Sequence, residues 1–279
     1  TTIRSRVSLS GTGVHSGKPV SIHFSPADAD TGIVFHLFTD DGVTDIRALH
    51  SQVGSTDLST VLGDPSGAHV ATVEHLMATL FGLGIDNVAI EIDGSEVPIL
   101  DGSAAMFVDA FEQAGVERLA ARRRYIRVLK PVRIEAGGSW AEFRPYDGTR
   151  FEVEIDFDSP AIGRQSLALD LDAERFRREV ARARTFGFMK DVERLWAAGF
   201  ALGSSLENSV VMGDLALAGA RFIGCFRSYR GGHKLNAAAL RRLLTDSSAY
   251  QIVESSRRDR GRAAELTSVG GPLHAPSVR

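Results

Sequence analysis

Glu74 and His75 stand side by side at the start of an apolar run, Thr72-Val-Glu-His-Leu-Met-Ala-Thr-Leu80. A neutral imidazole nitrogen is a ligand for Zn²⁺, and a neighbouring carboxylate is a competent base for metal-bound water. Bound zinc lowers the pKa of that water from about 15.7 to about 7. The plain alternative is a Glu favouring the helix dipole beside a satisfied core His. His233 follows Gly231-Gly232 and opens another helix, where an imidazolium needs a nearby anion; Asp214 is the candidate. Here the alternative is a glycine turn with a histidine cap. Other catalytic patterns fail. Gly11 to Lys18 lacks phosphate-loop spacing, because Thr12 stands where Gly is needed and Pro19 where Ser or Thr is needed. The dinucleotide fingerprint also fails, because Gly17 falls one place late. There is no His-Glu-x-x-His, no Gly-x-Ser-x-Gly and no cysteine pair. A metal-free hydrolase using His233, Asp214 and a serine such as Ser228 would need a strained nucleophile turn, and none is visible.

The elements that must position these residues follow from periodicity and turn chemistry. Ile3 to Leu9, Val20 to Phe24 and Gly32 to Phe38 read as strands. Val73 to Phe81 reads as a helix with Thr72 as N-cap, ended by Gly82 and Gly84. Asn87 to Ile92 is a buried strand, and Ser103 to Gln113 a helix stopped by Gly115. The pattern then recurs. Strands are expected at Tyr125 to Val132, Ser139 to Phe143 and Phe151 to Phe157, then helices at Ala173 to Ala183, capped by Asp172, and at Asp191 to Ala198. Asn208 to Met212 and Arg221 to Tyr229 read as strands, and Lys234 to Leu244 as the final helix. The fold class is therefore α+β: two similar domains, 1–122 and 125–254, each with strands packed on helices and the active site between them. The tail, 255–279, is rich in Arg, Gly, Ser and Pro and reads as disordered.

Four segments carry a resemblance to a known family: Thr72 to Leu80, Gly11-Thr-Gly-Val-His-Ser-Gly17, Ala183-Arg-Thr-Phe-Gly-Phe188, and Phe226-Arg-Ser-Tyr-Arg-Gly-Gly-His-Lys-Leu-Asn236. Together they resemble the zinc-dependent UDP-3-O-acyl-N-acetylglucosamine deacetylases of lipid A biosynthesis, from about residue 3 to about residue 252. The resemblance implies hydrolysis of the acetamide of UDP-3-O-(3-hydroxyacyl)-N-acetylglucosamine. It makes His75 a zinc ligand, Glu74 the base and Thr185 a holder of the tetrahedral oxyanion. It makes His233, paired with Asp214, the group that delivers a proton to the amine. Phe186 and Phe188 would border the acyl-chain passage, and Phe157 would lie near the uracil ring. Phe186 and Phe188 are more often core residues, and Phe157 is equally readable as core. The family takes two further zinc ligands from one helix, in a His-x-x-x-Asp pair upstream of Gly-Asp-Leu-Ala-Leu. Here that motif is Gly213-Asp-Leu-Ala-Leu217, and Met212 joins it directly. The segment that would carry the pair is missing, and no other predicted helix holds one. A catalytic zinc needs three protein ligands, so the chain is either an enzyme read without a segment or a deletion variant that keeps the fold but lacks zinc and turnover.

The bulk composition fits this. The 279 residues are 43% hydrophobic and 24% charged with a net charge of −3, so no polyanion-binding surface and no nucleic-acid partner is expected. Arg122-Arg-Arg124 reads as a solvated linker. The single cysteine, Cys225, excludes an internal disulfide and suits a reducing cytoplasm. No apolar run reaches the roughly 18 residues of a membrane span, and no signal-peptide pattern is read at the start. A lipid-linked substrate still leaves room for transient contact with a membrane surface.

Overall fold

The computed structural model describes residues 1–39, 42–159, 162–184, 207–255 and 266–268; for 207–210 and 266–268 it describes the backbone alone. The fold is α+β, built on two sheets that repeat one strand plan. In the first sheet the order is Val7–Thr12, Pro19–Pro26, Val88–Ile92, Ile33–Thr39, Gly42–Arg47. Val88–Ile92 runs antiparallel to Pro19–Pro26 and parallel to Ile33–Thr39. In the second, Arg221–Tyr229 takes the central place. It runs antiparallel to Ser139–Arg144 and parallel to Thr149–Asp156, with Val132–Ala136 and Arg164–Asp170 outside them. Its first residues also pair with Arg124–Val128, which continues the sheet to Tyr250–Ser255 and Leu266–Ser268.

Alternation explains the first sheet. Pro19–Pro26 buries Val20, Ile22 and Phe24 on one face, as a period of two requires. Arg221–Tyr229 is instead buried along most of its length, as befits a strand covered on both sides. Helix α1 (Glu74–Leu83) is buried at every position. Gly84, in the left-handed conformation that glycine adopts without strain, closes it. Helix α2 (Ala105–Ala114) packs Phe111 edge-on against Phe24 of the first sheet. The segment from Asp172 begins as α3 (Ala173–Arg175), with the Asp172 side chain accepting from the Arg175 N–H, and widens into a π turn over Phe176–Val180.

One continuous core joins both sheets through α1. Phe222 is its aromatic hub, with Phe81, Phe143 and Phe151 each 5.6 Å away between ring centroids. Truncating a ring there removes its transfer energy and leaves a cavity. Phe222→Ala should lower unfolding free energy by about 3–5 kcal/mol, as read from urea denaturation; a loss below about 1 kcal/mol would contradict this packing.

Several expected elements differ. Asn208 to Met212 is not a strand. It belongs to α4 (Glu207–Ala216), which runs unbroken across the Met212–Gly213 junction, followed by α5 (His233–Thr245). Its β-branched run suggested extension, but Val211, Met212, Leu215 and Ala216 are all buried, and tertiary burial overrides so weak a propensity. Gly213 permits the closest approach: a Cβ there would stand 2.0 Å from the Glu74 carbonyl oxygen of α1. Thr72 is not the N-cap of α1. Val73 holds that position, and Thr72 has a positive φ of 58° with its hydroxyl turned to Glu96. Gly82 lies inside α1. In the tail, Leu266–Ser268 pairs as an edge strand with Tyr250–Ser255, and most of the tail expected to be disordered lies outside the described residues. The helix expected at Asp191 to Ala198 lies outside the described residues.

Candidate active site

The close approach of α1 and α4, with α5 behind, brings together four of the residues singled out by sequence: Glu74, His75, Asp214 and His233. Glu74 and His75 open α1, Asp214 lies one residue past the Gly213 contact, and His233 is the first residue of α5. His233 Nδ1 lies 2.9 and 3.0 Å from the two Asp214 carboxylate oxygens. That ring nitrogen therefore carries the proton, since a carboxylate can only accept. Nε2 is turned toward Glu74, whose Oε1 is 3.9 Å away.

Asp214 is 2% exposed and its charge is well supported. Thr60 Oγ1 donates to Oδ1 at 2.6 Å, and Asn236 Nδ2 donates to Oδ2 at 2.9 Å. The Thr60 backbone N–H also donates to Glu74 Oε2 at 3.2 Å. Glu74 has little other relief from burial. Its pKa is pushed up to about 7, chiefly by desolvation and further by Asp214, with His233 opposing. A carboxyl poised near neutrality can both take and return a proton. His75 moves the other way, down to about 4, because burial disfavours the imidazolium and His233 adds to that.

These two shifts oppose each other in stability. The unfolded chain binds more protons than the folded one at His75 between about pH 4 and 6.5, so stability falls as pH drops through that window. Glu74 does the reverse: the folded chain holds the extra proton from about 4.5 to 7, so stability falls as pH rises there. The parent should therefore show a flattened stability profile across the shared window. Glu74→Gln should make stability climb from about pH 4 to 6.5, followed by chemical denaturation at fixed ionic strength. An equally flat profile in that variant would refute the opposition.

Both ring nitrogens of His75 are buried with no hydrogen-bond partner, which suits a residue meant to ligate. The remainder of a metal site does not follow. Among the described residues no three His, Cys, Asp or Glu side chains are grouped so as to hold a metal ion. His36, also followed by an Asp four places on in sequence, lies on a strand with its Nδ1 2.6 Å from Asp45.

The Gly11–Gly17 motif is attached from the side. Glu96, buried, accepts from the backbone N–H groups of His15 and Ser16 at 2.9 and 2.8 Å and from the Thr72 hydroxyl at 3.0 Å. This ties the glycine loop to the residue two before Glu74. Phe157 stands just past the Thr149–Asp156 strand, its N–H donating to Gly163. Thr185, Phe186 and Phe188 lie outside the described residues. Ser228 is 1% exposed with its hydroxyl unpartnered, so no base activates it as a nucleophile. Sequence reasoning gave no role to Asn236, though it closes the Phe226–Asn236 motif, and missed Thr60 and Glu96, which sit in no recognisable pattern.

Comparison with known proteins gives the family of the chain. The family model described as UDP-3-O-acyl N-acetylglycosamine deacetylase matches residues 1–213. The chain belongs to this family. Deacetylases named for UDP-3-O-acyl-N-acetylglucosamine from Brucella ovis, Brucella canis and Brucella melitensis biotype 2 are each 54% identical over 281 residues, covering 91% of this chain and 98% of the relative. The family match stops at Gly213, beside the junction inside α4. The aligned stretch of 281 residues also exceeds 91% of a 279-residue chain, so these deacetylases hold internal positions without a counterpart here. No helix among the described residues is long and apolar enough to cross a membrane.

Proposed function

We propose that this site serves hydrolysis of the acetamide of UDP-3-O-(3-hydroxyacyl)-N-acetylglucosamine, releasing acetate, a step of lipid A biosynthesis in the cytoplasm. The observation that carries the reading is the approach of Glu74 Oε1 to His233 Nε2, with Asp214 backing the imidazole. Glu74 takes a proton from the attacking water. His233, held by Asp214, delivers one to the departing amine. Thr185 supports the oxyanion, Phe186 and Phe188 border the acyl chain, and Phe157 lies by the uracil. Glu74 and His75 come from the first half of the chain and Asp214 and His233 from the second. The repeated strand plan supports two domains, 1–122 and 125–254, with the site between them.

The reaction is zinc-dependent in this reading, and bound zinc would supply an acidified water. Among the described residues His75 is the one ligand matched, and those residues do not make up the set that holds the metal. No step is therefore routed through it. That shortfall favours a second reading for the 279-residue chain, a deletion variant that keeps the fold and sugar-nucleotide binding without turnover. The partner is a UDP-linked acylated amino sugar, met at most transiently at a membrane surface, and no nucleic acid. The test grafts a helix bearing a His-x-x-x-Asp pair between Met212 and Gly213 and measures acetate released from that substrate. Release that is lost in His233→Gln is expected. A grafted chain that holds zinc and releases no acetate rules the function out.

A further inference from the structure

Thr60 closes the polar stretch Ser55-Thr-Asp-Leu-Ser-Thr60, yet it is 2% exposed and touches every group in the proton-transfer reading. Its backbone N–H donates to Glu74, its hydroxyl donates to Asp214 Oδ1 at 2.6 Å, and the same oxygen lies 3.1 Å from His233 Nδ1. A hydroxyl has one proton, and Asp214 takes it. The oxygen therefore faces Nδ1 with a lone pair, which is compatible only with a protonated Nδ1. The three bonds come from one residue on a segment outside α1, α4 and α5, so Thr60 fixes the relation between the elements that supply the reacting groups.

We propose that Thr60 is a positioning residue for this proton-transfer pair, holding the Asp214 carboxylate and the His233 ring in register with Glu74. The inference rests on the reading of these groups given above. Its physical consequence is specific. The Thr60 hydroxyl satisfies part of the Asp214 charge, so the carboxylate draws less on the imidazole. Without it, Asp214 must rely on His233 and Asn236, and the His233–Asp214 pair holds its shared proton more tightly. Among the described residues, Glu74 and His75 on α1 also couple to the ring charge. His50 and Arg241 line a small cavity behind Thr60 and Asp214.

The test is an NMR titration of the His233 imidazole in the full chain, without substrate, in the parent and in Thr60→Val, Thr60→Ala and Thr60→Ser. The valine keeps the shape and removes the hydroxyl; the alanine covers the case in which valine disturbs folding. In either, the midpoint of the pair should rise by about one pH unit, a tenfold tighter hold on the proton and the scale of one hydrogen bond to a charged group. Serine should return it to the parent value, which a purely structural role for the threonine methyl would not do. A parent-like midpoint in the folded valine or alanine variant overturns the proposal, as does a serine variant that behaves like valine. Because no turnover is read, failure here leaves the deacetylase reading standing, and absence of acetate release leaves this result standing.

Discussion

The 279-residue chain, dialysed after exposure to Zn²⁺, should retain far less than one zinc per chain and release no measurable acetate. The reason lies in the site's donor set. His75 presents two buried, unpartnered ring nitrogens, but the described residues contribute no further group of ligands around it. Affinity at a catalytic zinc comes from several deprotonated ligands held together before the metal arrives, and one imidazole falls short of the three that such sites use. The α4 helix makes the shortage structural. Its backbone passes straight through Met212–Gly213, with Met212 and Leu215 buried. The helix thus runs without a break across the junction where, in the proposed reading, a ligand pair is missing. Restoring a helix with the His-x-x-x-Asp pair should bring back zinc and turnover together, measured by metal analysis and acetate release on the same samples. Stoichiometric zinc in the unrestored chain would mean that ligands exist among histidines and carboxylates assigned here to other bonds. Metal without turnover after restoration would place the defect elsewhere in the site.

What could be read from the sequence divides along the length scale of the interactions. Helix α1 was legible because its apolar run and Gly84 are local signals, and Glu74 and His75 follow from its start. His233 was legible because two glycines precede it at a helix entrance, and Asp214 because an imidazolium at a helix N-terminus needs a nearby anion. Thr60 was not legible: its bond to Asp214 spans 154 residues of chain. Glu96 is hidden in the same way, since its partners lie on the Gly13–Lys18 loop and at Thr72, joined only by folding. The error at Asn208 to Met212 has a different origin. A β-branched run is a fair strand signal on a half-buried surface, but here the surface is the flank of α1, where helix-on-helix packing through Gly213 decides the matter. The strand order of the second sheet was hidden too, because the parallel pairing of Thr149–Asp156 with Arg221–Tyr229 joins residues far apart in the chain.

In the helix-restored chain, Glu74→Ala should lower turnover by about 10²-fold or more, the usual scale for loss of a general base, while bound zinc persists. The separation of the two readouts follows from the geometry. Glu74 and His75 are adjacent in sequence, yet the Glu74 carboxylate is turned to the Thr60 N–H and His233 Nε2, and His75 alone carries the unpartnered nitrogens. In the proposed reading, removing the carboxylate thus takes away the proton acceptor and leaves the ligand. Burial also gives the loss a pH signature. With its pKa pushed up to about 7, Glu74 is ionised, and so able to accept a proton, only as pH rises through neutrality. A Glu74-dependent acid limb should accordingly be present in the rate profile of the restored chain and disappear in Glu74→Ala. Glu74→Gln, close in shape and unable to act as a base, should match the alanine variant in rate. Turnover in Glu74→Gln within a few-fold of the restored parent would remove Glu74 from the mechanism and leave its elevated pKa as a consequence of burial alone.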